Sequence, residues 1–451
     1  MSDWLDAERR MERAQRLCES QRWEEALAEV DAAISINPDN AQWQAQRGFL
    51  LQELDRDAEA VEAYESAFAL EPAERHVAVA LGLALMRLGR LPRSLDVFEA
   101  LAKRFPDFEP AYCHRIHLYS QLGQLDRAEE MFYLAQQIDE KCPTCFVNMG
   151  DVLRARGSVS RAMYCWQQAL ALQPDYPGVH WRIADAHREQ GNADKARRHY
   201  ILEHRNEPGN TGVLADLAEL ALESGDLEAA ASKFEQIVDL EPDHADAVFS
   251  LGKIRLHQGK SDAAIRCFQS AWSLAGGDPA ALPEFPIQMG KALLQLGRYS
   301  EAIGHLEAAC AAEGSGAEAQ MLLADTLLVA DRVPDAADGY RKILASDADN
   351  LHARRKLSVC LLKLGHAETA LEHARVVLDK DPQDRAAVFN ASVAHLMLGQ
   401  WSAAKRLLDR CLAAHKDDSS LWALRAMIWR YRFRYTFRAL VRRLPFLGGK
   451  E

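Results

Sequence analysis

Cys142, Pro143, Thr144 and Cys145 set two thiols three positions apart. That is the spacing of half a zinc site or of a thiol redox motif. Upstream, Cys113 and His117 stand four apart. On a helix they would share one face. Cys113, His117, Cys142 and Cys145 therefore form the candidate metal set. Two features weigh against it. The register described below puts Cys145 at a core-packing position, and Cys142 lies at a helix start without the strand–helix context of a redox fold. The balance favours core thiols, with no resident metal and no cofactor. No Gly-rich phosphate loop, HExxH pair or nucleophile elbow occurs, and the histidines are scattered, so the chain is not expected to be an enzyme.

The elements that would carry these residues are visible as a period. Units of 34 residues begin at Ala7, Ala41, Arg75, Glu109, Pro143, Pro177, Thr211 and Ala245. After a four-residue insertion they resume at Pro283, Ala317, Leu351 and Arg385, giving twelve units. Position 20 is Ala in eleven of them, Ser94 being the exception. Position 15 is Gly in nine, with Gln21, Asp55 and Asp331 departing. Position 8 is small in eleven, with Ile116 departing, and position 32 is Pro in seven. Small residues at 8 and 20 let two helices approach closely. Gly at 15 suits a left-handed helix end, and Pro at 32 stops the second helix. One unit cannot bury its apolar face, so neighbours must stack.

This pattern resembles the tetratricopeptide repeat family, whose unit is an antiparallel pair of helices, A and B. The resemblance spans residue 7 to about residue 440. It implies an all-α fold: an α-solenoid, a right-handed superhelix of about twelve repeats closed by a C-terminal capping helix. Repeats one to eight are assigned to 1–276, an inserted loop to 277–282, repeats nine to twelve to 283–418, and the cap and tail to 419–451. Trp422 and Met427 are expected to cover the last repeat.

The resemblance also implies that A-helix positions 2, 5, 6, 9, 12 and 13 line a concave groove. By position these include Asn148, Asp151 and Arg154 in repeat five, and Trp181, Arg182, Asp185 and Arg188 in repeat six. Phe249, Lys253 and Lys291 follow in repeats eight and nine. Aromatic and Arg side chains dominate interface hot spots, so a protein or peptide ligand across repeats five to nine is expected. Two known family variants do not fit. The Lys and Asn clamp for an acidic C-terminus fails at Val147 and Asp151, and only Asn148 and Asn390 stand where a position-6 Asn ladder would run.

The 451 residues carry a net charge of -12, which argues against general nucleic-acid binding. The charge is unevenly spread: residues 426–451 sum to +6, leaving -18 for the rest. In that tail Trp429 neighbours a basic run of Arg430, Arg432, Arg434, Arg438, Arg442 and Arg443. Three uses compete: Arg pairing with the acidic solenoid, contact with an anionic membrane surface, or a partner or nucleic-acid contact. With no signal-peptide core, no apolar stretch of membrane-spanning length and nine dispersed cysteines, a reducing cytoplasmic setting is expected, the alternative being a peripheral place at the inner membrane surface. The expected function is a scaffold or adaptor that binds a partner in the groove. The rivals are a membrane-associated assembly factor docked through the tail, and a regulator of a partner enzyme.

Overall fold

The structure, a computed structural model, describes residues 2–312, 316–414 and 419–431. They form helices and connecting turns, with no strand among the described residues. The chain divides into two compact units, 1–213 and 214–451, and the division falls within one helix.

The first unit holds α1 (Ser2–Glu19), α2 (Trp23–Ile36), α3 (Ala41–Glu53), α4 (Asp57–Leu70), α5 (Arg75–Arg87), α6 (Leu91–Arg104), α7 (Glu109–Gln121), α8 (Leu125–Ile138), α9 (Pro143–Ala155), α10 (Val159–Leu172), α11 (Val179–Glu189) and α12 (Ala193–Asn206). The dividing helix is α13 (Thr211–Glu223). The second unit holds α14 (Leu227–Leu240), α15 (Ala245–His257), α16 (Ser261–Leu274), α17 (Phe285–Gln295), α18 (Tyr299–Ala311), α19 (Ala317–Val329), α20 (Val333–Ser346), α21 (Leu351–Leu364), α22 (Ala367–Lys380), α23 (Arg385–Met397), α24 (Trp401–Ala414) and α25 (Ser419–Tyr431). Within each unit a helix packs on its predecessor and its successor, as a stack of repeats requires.

Position 8 explains the close A–B packing. A Cβ added to Gly48 would lie 2.7 Å from the Tyr64 ring, one added to Gly252 2.6 Å from Phe268, and one added to Gly290 2.8 Å from Leu306. In each pair position 8 is a socket for the side chain at position 24. The exception at position 8 is compensated locally. Ile116 is fully buried, and Phe132 at position 24 is only half-buried, lying edge-on to Phe146 at 5.6 Å. Ser94, the exception at position 20, is buried and donates to the Gly82 carbonyl at 2.7 Å.

All twelve position-15 residues are left-handed, including the three that are not glycine: Gln21 (φ 57°), Asp55 (φ 57°) and Asp331 (φ 60°). The A–B turn geometry therefore overrides local preference. An L-residue there costs about 1–2 kcal/mol, partly offset by the extra freedom glycine gives the unfolded chain. Gln21→Gly is expected to stabilise the first unit by about 0.5–1 kcal/mol. A urea midpoint that falls in the Gly variant would contradict this.

The insertion forms the connection between α16 and α17. Gly276 and Gly277 both take positive φ, and Trp272 stacks on Phe285 across the connection at 4.4 Å. At the C-terminal end the cover differs from expectation. Leu421 and Leu424 of α25 are buried, whereas Trp422 is 45% exposed beneath the Arg425 guanidinium and Met427 is half-buried. Two apolar residues three apart already give α25 its inward stripe, which turns Trp422 outward. Arg432, Arg434, Arg438, Arg442 and Arg443 lie outside the described residues, as do the side chains of Trp429 and Arg430. No helix among the described residues is long and apolar enough to cross a membrane.

Candidate functional site

Residues expected along the groove in repeats five and six cluster on α9 and α11, but they mostly engage one another. Arg182 donates to both Asp151 oxygens, from Nε at 2.8 Å and Nη2 at 3.1 Å. The Trp166 indole donates to the same carboxylate at 3.2 Å. Arg154 pairs with Asp185 and, at 2.7 Å, with Glu189. The result is a crossed array of alternating charge between consecutive A helices, every member half-buried except the exposed Glu189. Trp181 and Arg188 are half-buried at its edge.

Asn148 is tied down. It donates to the Cys113 carbonyl at 3.1 Å, and Asn390 does the same to the Arg355 carbonyl at 3.2 Å. The two position-6 Asn residues thus clip an A helix to its predecessor. In the second unit Lys253 reaches Glu284 at 3.4 Å and lies over the Phe249 ring, and Lys291 pairs with Glu318 at 2.7 Å. Phe249 itself is 6% exposed and packs on Phe268 at 5.1 Å, so it serves the core.

The sulfur cluster is the most concentrated chemistry among the described residues. Cys113, Cys142 and Cys145 converge with Glu109, their donor atoms all within 4.8 Å of one another. His117 is not among them; burial lowers its imidazole, with Asp151 opposing and Arg182 reinforcing the shift. Glu109 and Cys113 lie one turn apart on α7. Cys142 is the N-cap of α9, a place held elsewhere by Asn40, Asn350 and Asp384. There its sulfur accepts the Cys145 amide at 3.3 Å, as those oxygens accept theirs. Cys145 Sγ donates to Glu109 Oε1 at 2.8 Å. Burial pushes the Glu109 carboxyl up to about 7. A hydrogen bond from the Cys113 thiol, helped by the Cys145 backbone amide, holds the Cys142 thiol below its usual range.

A second cluster had no sequence signal. His180 and His199 bring their Nδ1 atoms to 3.1 Å, and the buried His187 ring stands 5.9 Å from His199. Beside them the fully buried Glu203 accepts the Gly178 amide at 2.6 Å and the Trp181 amide at 3.0 Å, capping α11 from the neighbouring helix.

Comparison with known families accounts for the scaffold of these sites. Models described as tetratricopeptide repeat match residues 46–109, 110–142, 215–279, 287–351 and 361–428, and one described as TPR repeat matches 150–200. The chain belongs to the tetratricopeptide repeat family. Solved tetratricopeptide repeat structures resemble it at low identity. One from Parabacteroides merdae is 17% identical, covering 56% of this chain and 99% of its own (TM-score 0.48). A thermophilic one from Thermus thermophilus is 22% identical, covering 41% and 100% (TM-score 0.38). A further solved structure, the APC/C hetero-tetramer Cut9–Hcn1, is 13% identical, covering 92% of this chain and 95% of its own (TM-score 0.43). No curated protein matches the sequence. In tetratricopeptide repeat terms, the charged array joins the A helices of repeats five and six, and the sulfur cluster joins those of repeats four and five.

Proposed function

We propose that this chain is a binding scaffold, without catalysis of its own, that holds an extended segment of a partner protein against the A helices of repeats five and six. One observation carries the reading: the half-exposed array of Asp151, Arg154, Arg182, Asp185 and Glu189, flanked by Trp181 and Arg188. Partly exposed ion pairs of this kind contribute only about 0–1 kcal/mol each. A partner's carboxylates and peptide groups can therefore replace them at small cost. Because the array is already assembled, little side-chain entropy is lost on binding, and Trp181 and Arg188 are the residue types that anchor interfaces.

The test is affinity capture from the native source, with the full chain against the double variant Trp181→Ala/Arg188→Ala. Loss of two such anchors is expected to weaken partner binding by on the order of tenfold or more. Equal recovery of the same partner by both proteins would count against this surface.

A further inference from the structure

We infer that Cys113, Cys142, Cys145 and Glu109 form a zinc-binding site that clamps repeat four to repeat five. This rests on a different part of the fold from the charged array and does not depend on the proposed scaffold function.

The donor set is of the right kind and number. Three thiols and one carboxylate make four ligands, the usual complement of a closed tetrahedral zinc site. With zinc–sulfur bonds of about 2.3 Å, the sulfurs of such a site stand roughly 3.8 Å apart. The four donor atoms here are already within 4.8 Å of one another, so closing on an ion needs only small side-chain rotations. The ligands come as two pairs fixed by backbone: Glu109 and Cys113 one turn apart on α7, Cys142 and Cys145 on the first turn of α9. Each pair is thus held within one helical turn by its backbone.

The surroundings match what thiolate ligands need. The Cys145 amide points at Cys142 Sγ at 3.3 Å, and Asn148 Nδ2 lies 3.6 Å from Cys113 Sγ. Such donors orient metal-bound sulfur and temper its charge. The α9 N-terminus adds a favourable field for anionic sulfur. A purely structural role explains the buried thiols of Cys113 and Cys145, but it does not explain why a carboxylate is turned in among them. No Lys or Arg pairs with Glu109 among the described residues. A dication supplies the missing countercharge. On binding, the thiol protons pass to solvent and the ligands remain as thiolates and carboxylate, with no change in oxidation state. Glu109 is half-exposed and gives the ion its way in.

The experiment uses the full chain, purified under reducing conditions. Zinc content is measured by elemental analysis and native mass spectrometry, then cobalt(II) is titrated into metal-free protein. The expected results are one zinc per chain, and with cobalt a thiolate charge-transfer band plus tetrahedral ligand-field absorption, both displaced by zinc. Cys142→Ser and Cys113→Ser are expected to abolish stoichiometric binding. Asn148→Ala should weaken zinc affinity by about tenfold, and Glu109→Gln by more. Cys165→Ser, a buried thiol of α10 outside the cluster, should change nothing. Circular dichroism of each variant separates lost binding from lost folding, and the half-exposed Glu109→Gln keeps the test open if a cysteine variant does not fold. A folded, reduced chain that gives no cobalt charge-transfer band overturns the site. So does zinc affinity that is undiminished in folded Cys142→Ser and Glu109→Gln, or a Cys142–Cys145 disulfide in place of the metal.

Discussion

Gly150→Ile is expected to destabilise the first unit by about 3 kcal/mol, lowering its thermal midpoint by roughly 6–10 °C. A Cβ at position 150 would lie 2.5 Å from Trp166 Cδ1 and closer still to Nε1. Trp166 is fully buried, and its indole nitrogen is bonded to Asp151, so the ring cannot yield without surrendering that bond. Replacing glycine by isoleucine in a helix interior gains only about 0.5 kcal/mol of propensity, too little to offset the overlap of a branched side chain. Repeat four shows how the strain is relieved. With Ile116 at the same position, Phe132 leaves the socket and rests on Phe146. The double variant Gly150→Ile/Trp166→Leu is therefore expected to be more stable than the sum of its single changes. Urea denaturation of the four proteins measures the coupling. Strict additivity would sink the socket account.

Acidification from pH 7 to about 4 is expected to remove about 2 kcal/mol of stability from the first unit through its histidine cluster. Burial, together with the neighbouring His180 and His187, holds the His199 imidazole down at about 4 against an ordinary 6.5. Burial also lowers His180, opposed by Glu203, and lowers His187, reinforced by Lys195. Because these bases are depressed in the folded state, the unfolded chain binds more protons between pH 6.5 and about 4. The stabilisation is therefore complete above about pH 6.5 and is lost as pH falls through that window. One pKa unit corresponds to about 1.4 kcal/mol, and the partial exposure of His199 reduces the full product. His199→Gln should flatten the dependence of the urea midpoint on pH over this range. Parallel curves for variant and parent would remove the cluster as the cause.

The repeat was legible because its determinants are local: a socket at position 8, its plug at position 24, and a turn that forces position 15 into left-handed space. Even the departures obey it, since Gln21, Asp55 and Asp331 adopt the glycine conformation. Side-chain convergence between repeats was legible only in part. Spacing placed Cys113 near the Cys142–Cys145 pair but named His117 as the fourth member, whereas Glu109, one turn to the other side of Cys113, is the residue that joins them. The choice depends on how the A helices align. Cys145 meets Glu109 and Asn148 meets Cys113, so the start of α9 lies level with the start of α7, one turn short of His117. The residues expected along a groove fall on A helices, as the repeat register requires, but their mutual pairing was not visible. Nothing in a position list says that Asp151 would be claimed by both Arg182 and Trp166. The histidine cluster joins an A helix to a B helix and left no periodic trace.

The pairing of position 8 with position 24 has a kinetic consequence. The two residues are half a repeat apart, so each socket can fill before any distant part of the chain has arrived. Native contacts of such short sequence separation favour rapid folding and allow it to start in several repeats at once, spreading to neighbours as each exposed face finds cover. Bonds such as that from Cys145 to Glu109, 36 residues away, then form late and act as latches between units that are already built. A change in a socket should therefore slow folding, and a change in a latch should mainly hasten unfolding.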